Sequence, residues 1–399
     1  MIKNMISAIL LTILLIMLIS GGENTPNENV EPYVNYIKEH QKEPVDYILQ
    51  LFEDHDLVIL CERSHREMTQ YDFINRLIQD ERFIKQVGNI YTEIGAVNHS
   101  EKFTDFVNSE NLDEEEIRED LGELSLCTYA NINWNGRPFF KFLRDVYDIN
   151  QSLNNAEKIQ IFPSNLPFEW DTLSNQNFKQ ALKYLSNRDS ISAYNIIESF
   201  DSLNSKSNNP QKALVIMNYR HAFNNFTRKN GNKMDNVGRF LFDYYGDKVA
   251  NVMINSLKLA PGEKRGTIKA LPVQNGKWDA AFVALNNPAC GFNFDDSPFG
   301  KDSFDYYPFK KTNLQYEDVF DGFIFYQPLH KHILEHGIPE FFDSEVQEEV
   351  KRRCEIRGYD KDKTESIIKS NKIITSNTYS KSKAFQVDNY KAKIDQWLE

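Results

Sequence analysis

At 399 residues, with 41% hydrophobic and 13% aromatic side chains, the chain has ample material for a buried core, which excludes disorder over most of its length. Its net charge of −12, with 46 Lys and Arg against 58 Asp and Glu and no dense basic stripe, speaks against a nucleic-acid partner, because phosphate recognition needs clustered cations.

The chain opens MIKNMISAILLTILLIMLISGG, with Lys3, an uncharged run from Met5 to Ile19, and then Ser20-Gly21-Gly22. A short basic start, a short apolar stretch and small residues form a secretion signal over residues 1–22. The run falls short of the ~20 residues a bilayer span needs, and a short uncleaved membrane anchor is the alternative. The expectation is therefore an exported protein, periplasmic or extracellular, or one tethered to the membrane by its N-terminus. Residues 23–32 read as a flexible tether.

An α/β domain is expected over residues 33–344. Tyr33, Ile37, Val45, Ile48 and Leu51 recur at near-helical spacing, and Leu57-Val58-Ile59-Leu60 follows as a short continuous apolar run. Such a run suits a strand buried on both faces. Further strands are predicted at Asn89–Ile94, Ile159–Phe162, Ala213–Met217, Val249–Ile254, Ala289–Phe294 and Gly322–Tyr326. Helical stretches lie between them, so the predicted class is α/β, a mainly parallel or mixed central sheet flanked by helices. Residues 98–155 hold helical patterns without a strand and read as a helical lid insertion; residues 345–399 read as peripheral C-terminal helices. His330, His332 and His336 read as part of a surface helix on which His332 and His336 would share a face, with metal binding the alternative, and Asp295, Asp296 and Asp302 fit a solvated acidic loop. Trp134, Phe139, Phe140 and Trp170 are expected in the core, with an apolar wall of the pocket as the alternative. Cys61, Cys127, Cys290 and Cys354 are widely spaced, without a CxxC pair, and read as small buried thiols.

Open α/β sheets place their sites at the carboxyl ends of strands. The polar residues found there are Glu62 and His65 after the first strand, Glu93 after the second, Asn165 after the third, and Arg220 and His221 after the fourth. Two histidines and two carboxylates suit either of two chemistries. Without a metal, one His takes a proton from water while a carboxylate orients its ring, and the other His or Arg220 stabilises an oxyanion. With a metal, His65, His221 and a carboxylate would ligate it and leave a position open for water. Ser64 is a conceivable nucleophile, but the segment lacks a G-x-S-x-G pattern.

The stretch Leu57–His65, ending Cys61-Glu62-Arg63-Ser64-His65, resembles the Gly-Glu-x-Thr/Ser-His segment of erythromycin esterase-like hydrolases, whose wider superfamily includes Tiki-type proteases and ChaN-type haem-binding proteins. Tyr91-Thr92-Glu93, Arg220-His221, Ser297-Pro298-Phe299-Gly300 and the stretch from Asp318 to Pro328 extend the resemblance over about residues 55–342. It implies a hydrolase of an ester, lactone or similar acyl bond in a small-molecule substrate. His65 would be the general base on water, Glu62 and Glu93 would position it, and His221 would support it. Beside these groups, Arg63, Arg66, Arg220 and Asn165 are read from their own positions at the strand ends as substrate-binding residues. No cofactor is required on this reading. The superfamily link also implies two alternatives, a divalent metal in a metal-dependent hydrolase or haem in a binding protein. The sequence departs from the pattern at Cys61 (for Gly), at Arg66 (for a small residue) and at Asn218, where esterases often carry a further His. Arg66 narrows the approach and favours an anionic substrate group.

Overall fold

The layers of the fold are written in the first strand. β1 (Leu57–Glu62) is buried at every position. Leu57, Ile59 and Cys61 join one hydrophobic core, and Val58 and Leu60 join another. That is the period-two outcome of a pleated strand covered on both faces. In this computed structural model, residues 29–224, 226–227, 231–261, 268–306, 313–378 and 387–399 are described. The secretion signal or anchor, residues 1–22, and the first part of the tether lie outside the described residues. Among those described, no helix is long and apolar enough to cross a membrane.

After β1 come β2 (Gly88–Ala96), β3 (Gln160–Asn165), β4 (Lys212–Asn218) and β5 (Val249–Ile254). The strands β6 (Leu257–Pro261) and β7 (Ile268–Pro272) pair with each other, apart from the main sheet. β8 (Cys290–Asn293) and β9 (Gly322–Phe325) complete a seven-stranded sheet of order β3-β2-β4-β1-β5-β9-β8. Each predicted strand window corresponds to a strand of this sheet, which is parallel except for β8 against β9. Continuous apolar runs made them visible, because a strand covered on both faces has no polar side to alternate with.

The helices are α1 (Glu31–His40), α2 (Pro44–Asp54), α3 (Met68–Gln79), α4 (Glu81–Gln86), α5 (Ser100–Asn108), α6 (Glu114–Leu126), α7 (Arg137–Asn150), α8 (Phe178–Ala181), α9 (Arg188–Lys206), α10 (Val237–Tyr245), α11 (Lys277–Ala284), α12 (Ser344–Ile356), α13 (Lys361–Asn371) and α14 (Val387–Leu398). α1, α9, α10, α11 and α14 supply buried residues to the core of Leu57, Ile59 and Cys61. α2 to α7 and α12 supply the core on the opposite face.

Within residues 98–155, Phe103 of α5 and Phe139, Phe142 and Leu143 of α7 are core residues. The connection between α6 and α7 carries Thr128, Tyr129, Asn131 and Trp134 to the ends of the strands. The segment expected as peripheral helices differs from that reading in two ways. Val350 and Cys354 of α12 and Tyr390 of α14 are buried core residues. Thr375–Thr378 forms β11, antiparallel to β10 (Ile333–His336). β10 also replaces the surface helix expected for the histidine cluster, since pairing with a distant strand leaves no local signature. His332 is fully buried there, 3.4 Å from Glu67. All four cysteines are buried and unbridged.

The connection after β1 runs to α3 on one face, and that after β4 runs to α10 on the other. β1 and β4 are neighbours in register, with Glu62 opposite Asn218. Chains leaving adjacent parallel strands in opposite directions open a crevice at the carboxyl ends. A cleft of about 560 Å³ lies there.

Candidate active site

Seven of the eight residues expected in the site line this cleft: Arg63, His65, Arg66, Glu93, Asn165, Arg220 and His221. Glu62 lies just beneath, buried, and forms an ion pair with His65 Nδ1. Its other oxygen accepts from Gln70 Nε2 at 3.2 Å.

Glu93 is the hub. Its Oε2 accepts the Asn218 backbone amide at 2.8 Å. Its Oε1 faces three nitrogens: Arg188 Nη2 at 2.5 Å, His221 Nε2 at 3.6 Å and His65 Nε2 at 3.7 Å. Asn165 closes the frame, donating to the Glu93 carbonyl at 3.0 Å and accepting from Arg188 Nε at 3.1 Å. Burial alone would raise the Glu93 carboxyl, but His65, His221 and Arg188 together hold it well below the usual carboxylate range.

The two histidines have opposite settings. Burial disfavours the charged form of His65, yet Glu62 and Glu93 on either side of the ring outweigh it and raise the imidazolium pKa to about 10. His65 therefore carries a proton on each nitrogen near neutrality. At 3.7 Å from Glu93, its Nε2–H is close to an ion-pair partner but not used up in a short hydrogen bond. The ring is held edge-on by Trp134, with centroids 4.9 Å apart. His221 places Nδ1 2.8 Å from Asp189 Oδ2 and Nε2 3.1 Å from Arg188 Nη1. A guanidinium can only donate, so Nε2 is the acceptor nitrogen and Nδ1 carries the hydrogen towards Asp189. The network thus selects an Asp–His pair whose Nε2 lone pair accepts from Arg188 at the cleft wall.

Arg63 departs from the substrate-binding role expected of it. It reaches the cleft wall, but its guanidinium is committed to Glu67, Tyr326 and the Asn255 carbonyl in a buried network. A buried guanidinium must be satisfied internally, and Glu67 four residues on does so. Ser64 lines the cleft, where its Oγ accepts the Arg66 amide at 3.4 Å. Of the four aromatic candidates for core or wall, Trp134 alone lines the cleft, while Phe139, Phe140 and Trp170 are core residues.

Arg188 and Asp189 escaped the sequence reading. They begin α9, far from any strand end, and a charged first turn is ordinary for a helix. Asn187-Arg188-Asp189 before a helical period would have been the available signal.

Glu62, His65 and Glu93 offer three donor atoms within 4.8 Å of one another, the composition of a divalent-metal site. The surroundings do not suit one. Glu62 holds Nδ1 while Glu93 faces Nε2, so one imidazole cannot turn a single nitrogen to a cation shared by both carboxylates. A cation on Glu93 Oε1 would also meet the Arg188 guanidinium already 2.5 Å away. A haem would need a ring nitrogen clear of charged neighbours, and neither His65 nor His221 presents one.

No protein-family model matches the chain, and no curated protein matches it. Among solved structures it is similar to a succinoglycan biosynthesis protein, with 10% identity over 75% of this chain and 96% of that one, at a TM-score of 0.45. It is also similar to a mutant of the erythromycin esterase EreC in its open conformation, with 11% identity, 75% and 96% coverage and a TM-score of 0.43. ChaN of Campylobacter jejuni, solved with cofacially bound haem, is 14% identical over 55% of this chain and 86% of its own, at a TM-score of 0.31. Likenesses this distant assign no chemistry to the chain.

Proposed function

We propose that the cleft hydrolyses an ester, lactone or similar acyl bond of a small-molecule substrate without a metal. One observation carries the reading: two histidines held by different partners, His65 by Glu62 and His221 by Asp189 and Arg188, bring their Nε2 atoms to the same Glu93 oxygen. Two imidazoles with different hydrogen-bond partners can serve one reaction centre as acid and base.

The roles follow from the hydrogen bonds. Asp189 fixes the His221 ring, and Nε2 accepts a proton from a water that displaces Arg188 Nη1 from its lone pair. The water oxygen bonds to the acyl carbon, and the carbonyl electrons move onto its oxygen. The His65 Nε2–H donates to that oxyanion and then gives its proton to the leaving oxygen as the tetrahedral intermediate collapses to acid and alcohol. Proton passage through the shared Glu93 frame restores both rings. The resemblance of the strand-end motifs to esterase-like hydrolases made His65 the base; its raised pKa supports the reverse division of labour.

Purified protein assayed on a panel of aryl and alkyl esters and lactones provides the test. His65→Ala and His221→Ala are each expected to lower kcat about 10²–10⁴-fold, the usual span for a positioned acid or base. Normal turnover of an identified substrate by either variant rejects the reading. Asp189→Asn keeps the shape but offers Nδ1 a donor as well as an acceptor, and is expected to lower kcat by about 10² or more with KM little changed.

A further inference from the structure

The cleft of this acidic protein is rimmed by two arginines that, among the described residues, no carboxylate pairs with. Arg76, Arg82, Arg118, Arg137, Arg144, Arg188, Arg239, Arg352 and Arg353 all form ion pairs, as does Arg63. Among the described residues, the exceptions are Arg66, Arg220 and Arg357. Arg357 is used otherwise, donating to the Ala130 carbonyl and lying over the rings of Phe178 and Tyr359. Arg66 and Arg220 are exposed, and both line the cleft. The nearest side-chain acceptor to Arg66 is Asn135 Oδ1 at 3.5 Å, and Arg220 lies 6.0 Å over the neighbouring Tyr219 ring.

The carboxylates of the site are spent. Glu62 serves His65, Glu93 serves Arg188 and both histidines, and Asp189 serves His221. The local balance is positive while the chain carries −12. The placement is paired too. Arg66 directly follows His65 beyond β1, and Arg220 directly precedes His221 beyond β4, the two strands being neighbours with Glu62 opposite Asn218. Both arginines thus stand next to a site histidine along the chain, at the ends of adjacent strands, and line the same cleft.

We propose that Arg66 and Arg220 bind an anionic group, a carboxylate or a phosphate, carried by the substrate beside its scissile acyl bond. This deepens the hydrolase reading and rests on it for the bond cleaved, but the anion site itself does not depend on turnover. Two guanidiniums present fork-shaped donors to such an oxyanion and fix its orientation as well as its charge. Holding that group would set the acyl carbon between the two Nε2 atoms.

Calorimetric titration of the full chain at low salt with succinate and, separately, with inorganic phosphate reads the site directly. Binding of one or both is expected, and which one binds distinguishes carboxylate from phosphate. Arg66→Gln and Arg220→Gln should each weaken it about tenfold, with partial recovery in the Lys variants. Both residues are exposed, so unchanged thermal unfolding checks that the variants fold. A second measurement compares the mono-p-nitrophenyl ester of succinate with p-nitrophenyl butyrate. The preference for the anionic ester should fall in both Gln variants. Absence of binding for both anions, or binding by the double Gln variant equal to that of the original protein, overturns the proposal. Anion binding lost in the Gln variants, with no ester turned over by the original protein, rejects the hydrolase reading and leaves the anion site standing.

Discussion

Replacing Glu93 with glutamine is expected to lower turnover by about 10²–10³-fold or more and to destabilise the fold by about 3–5 kcal/mol. The substitution keeps the volume of the side chain and removes its charge. Arg188, bonded at 2.5 Å, and the His65 imidazolium would then be left with an uncompensated positive charge at the floor of the cleft. One Gln oxygen can still accept, but the amide nitrogen would confront either the Asn218 N–H or the guanidinium, both of which are donors. Chemical denaturation reads the stability loss, and steady-state kinetics the activity. A Glu93→Gln protein as stable and as active as its parent would contradict the hub role. Arg188→Ala should share part of the stability loss, and in a double-mutant cycle the two effects should be strongly non-additive.

The second large effect concerns pH. If His65 acts as the charged partner, kcat/KM should hold through neutrality and fall about tenfold per unit above pH ~10, the value to which Glu62 and Glu93 raise its pKa. If it were the base, kcat/KM would instead climb about tenfold per unit up to the same pH. The two profiles run in opposite directions. Stability has its own signature. The folded pKa of His65 lies above its ordinary value of 6.5, so its contribution is full below that pH and is lost as the pH rises to about 10. The folded pKa of Glu93 lies below its ordinary value of 4.5, so its contribution is present above that pH and is lost as the solution is acidified. This cluster therefore stabilises the fold most between the two ordinary values. Thermal unfolding against pH should show an alkaline decline that His65→Ala removes. A decline unchanged in that variant would assign it to other groups.

The strands could be read from the sequence because burial on both faces writes itself as unbroken apolar runs. The strand-end rule then brought Glu62, His65, Glu93, Asn165 and His221 to one place. It failed where a residue's partner is set by tertiary contact. Arg63 has the same sequence credentials as Arg66, three residues away, yet the turn after β1 sends it inward to Glu67 and Tyr326. Arg188 and Asp189 stand on a helix that reaches the cleft from between β3 and β4. The spacing of His332 and His336 fits a helix as well as anything, and only the pairing of β10 with β11 decides against it.

The order of the sheet also bears on how the chain is made. β4 lies between β2 and β1, although it follows β1 by about 150 residues. As the polypeptide emerges from the ribosome, β1 and β2 have no direct pairing available to them. Both keep one open edge until Lys212–Asn218 arrives. Unpaired central edges are the surfaces on which chains join one another. A nascent or truncated chain ending before β4 is thus an aggregation hazard that lacks His221, and the strand that completes the sheet also delivers the second half of the site.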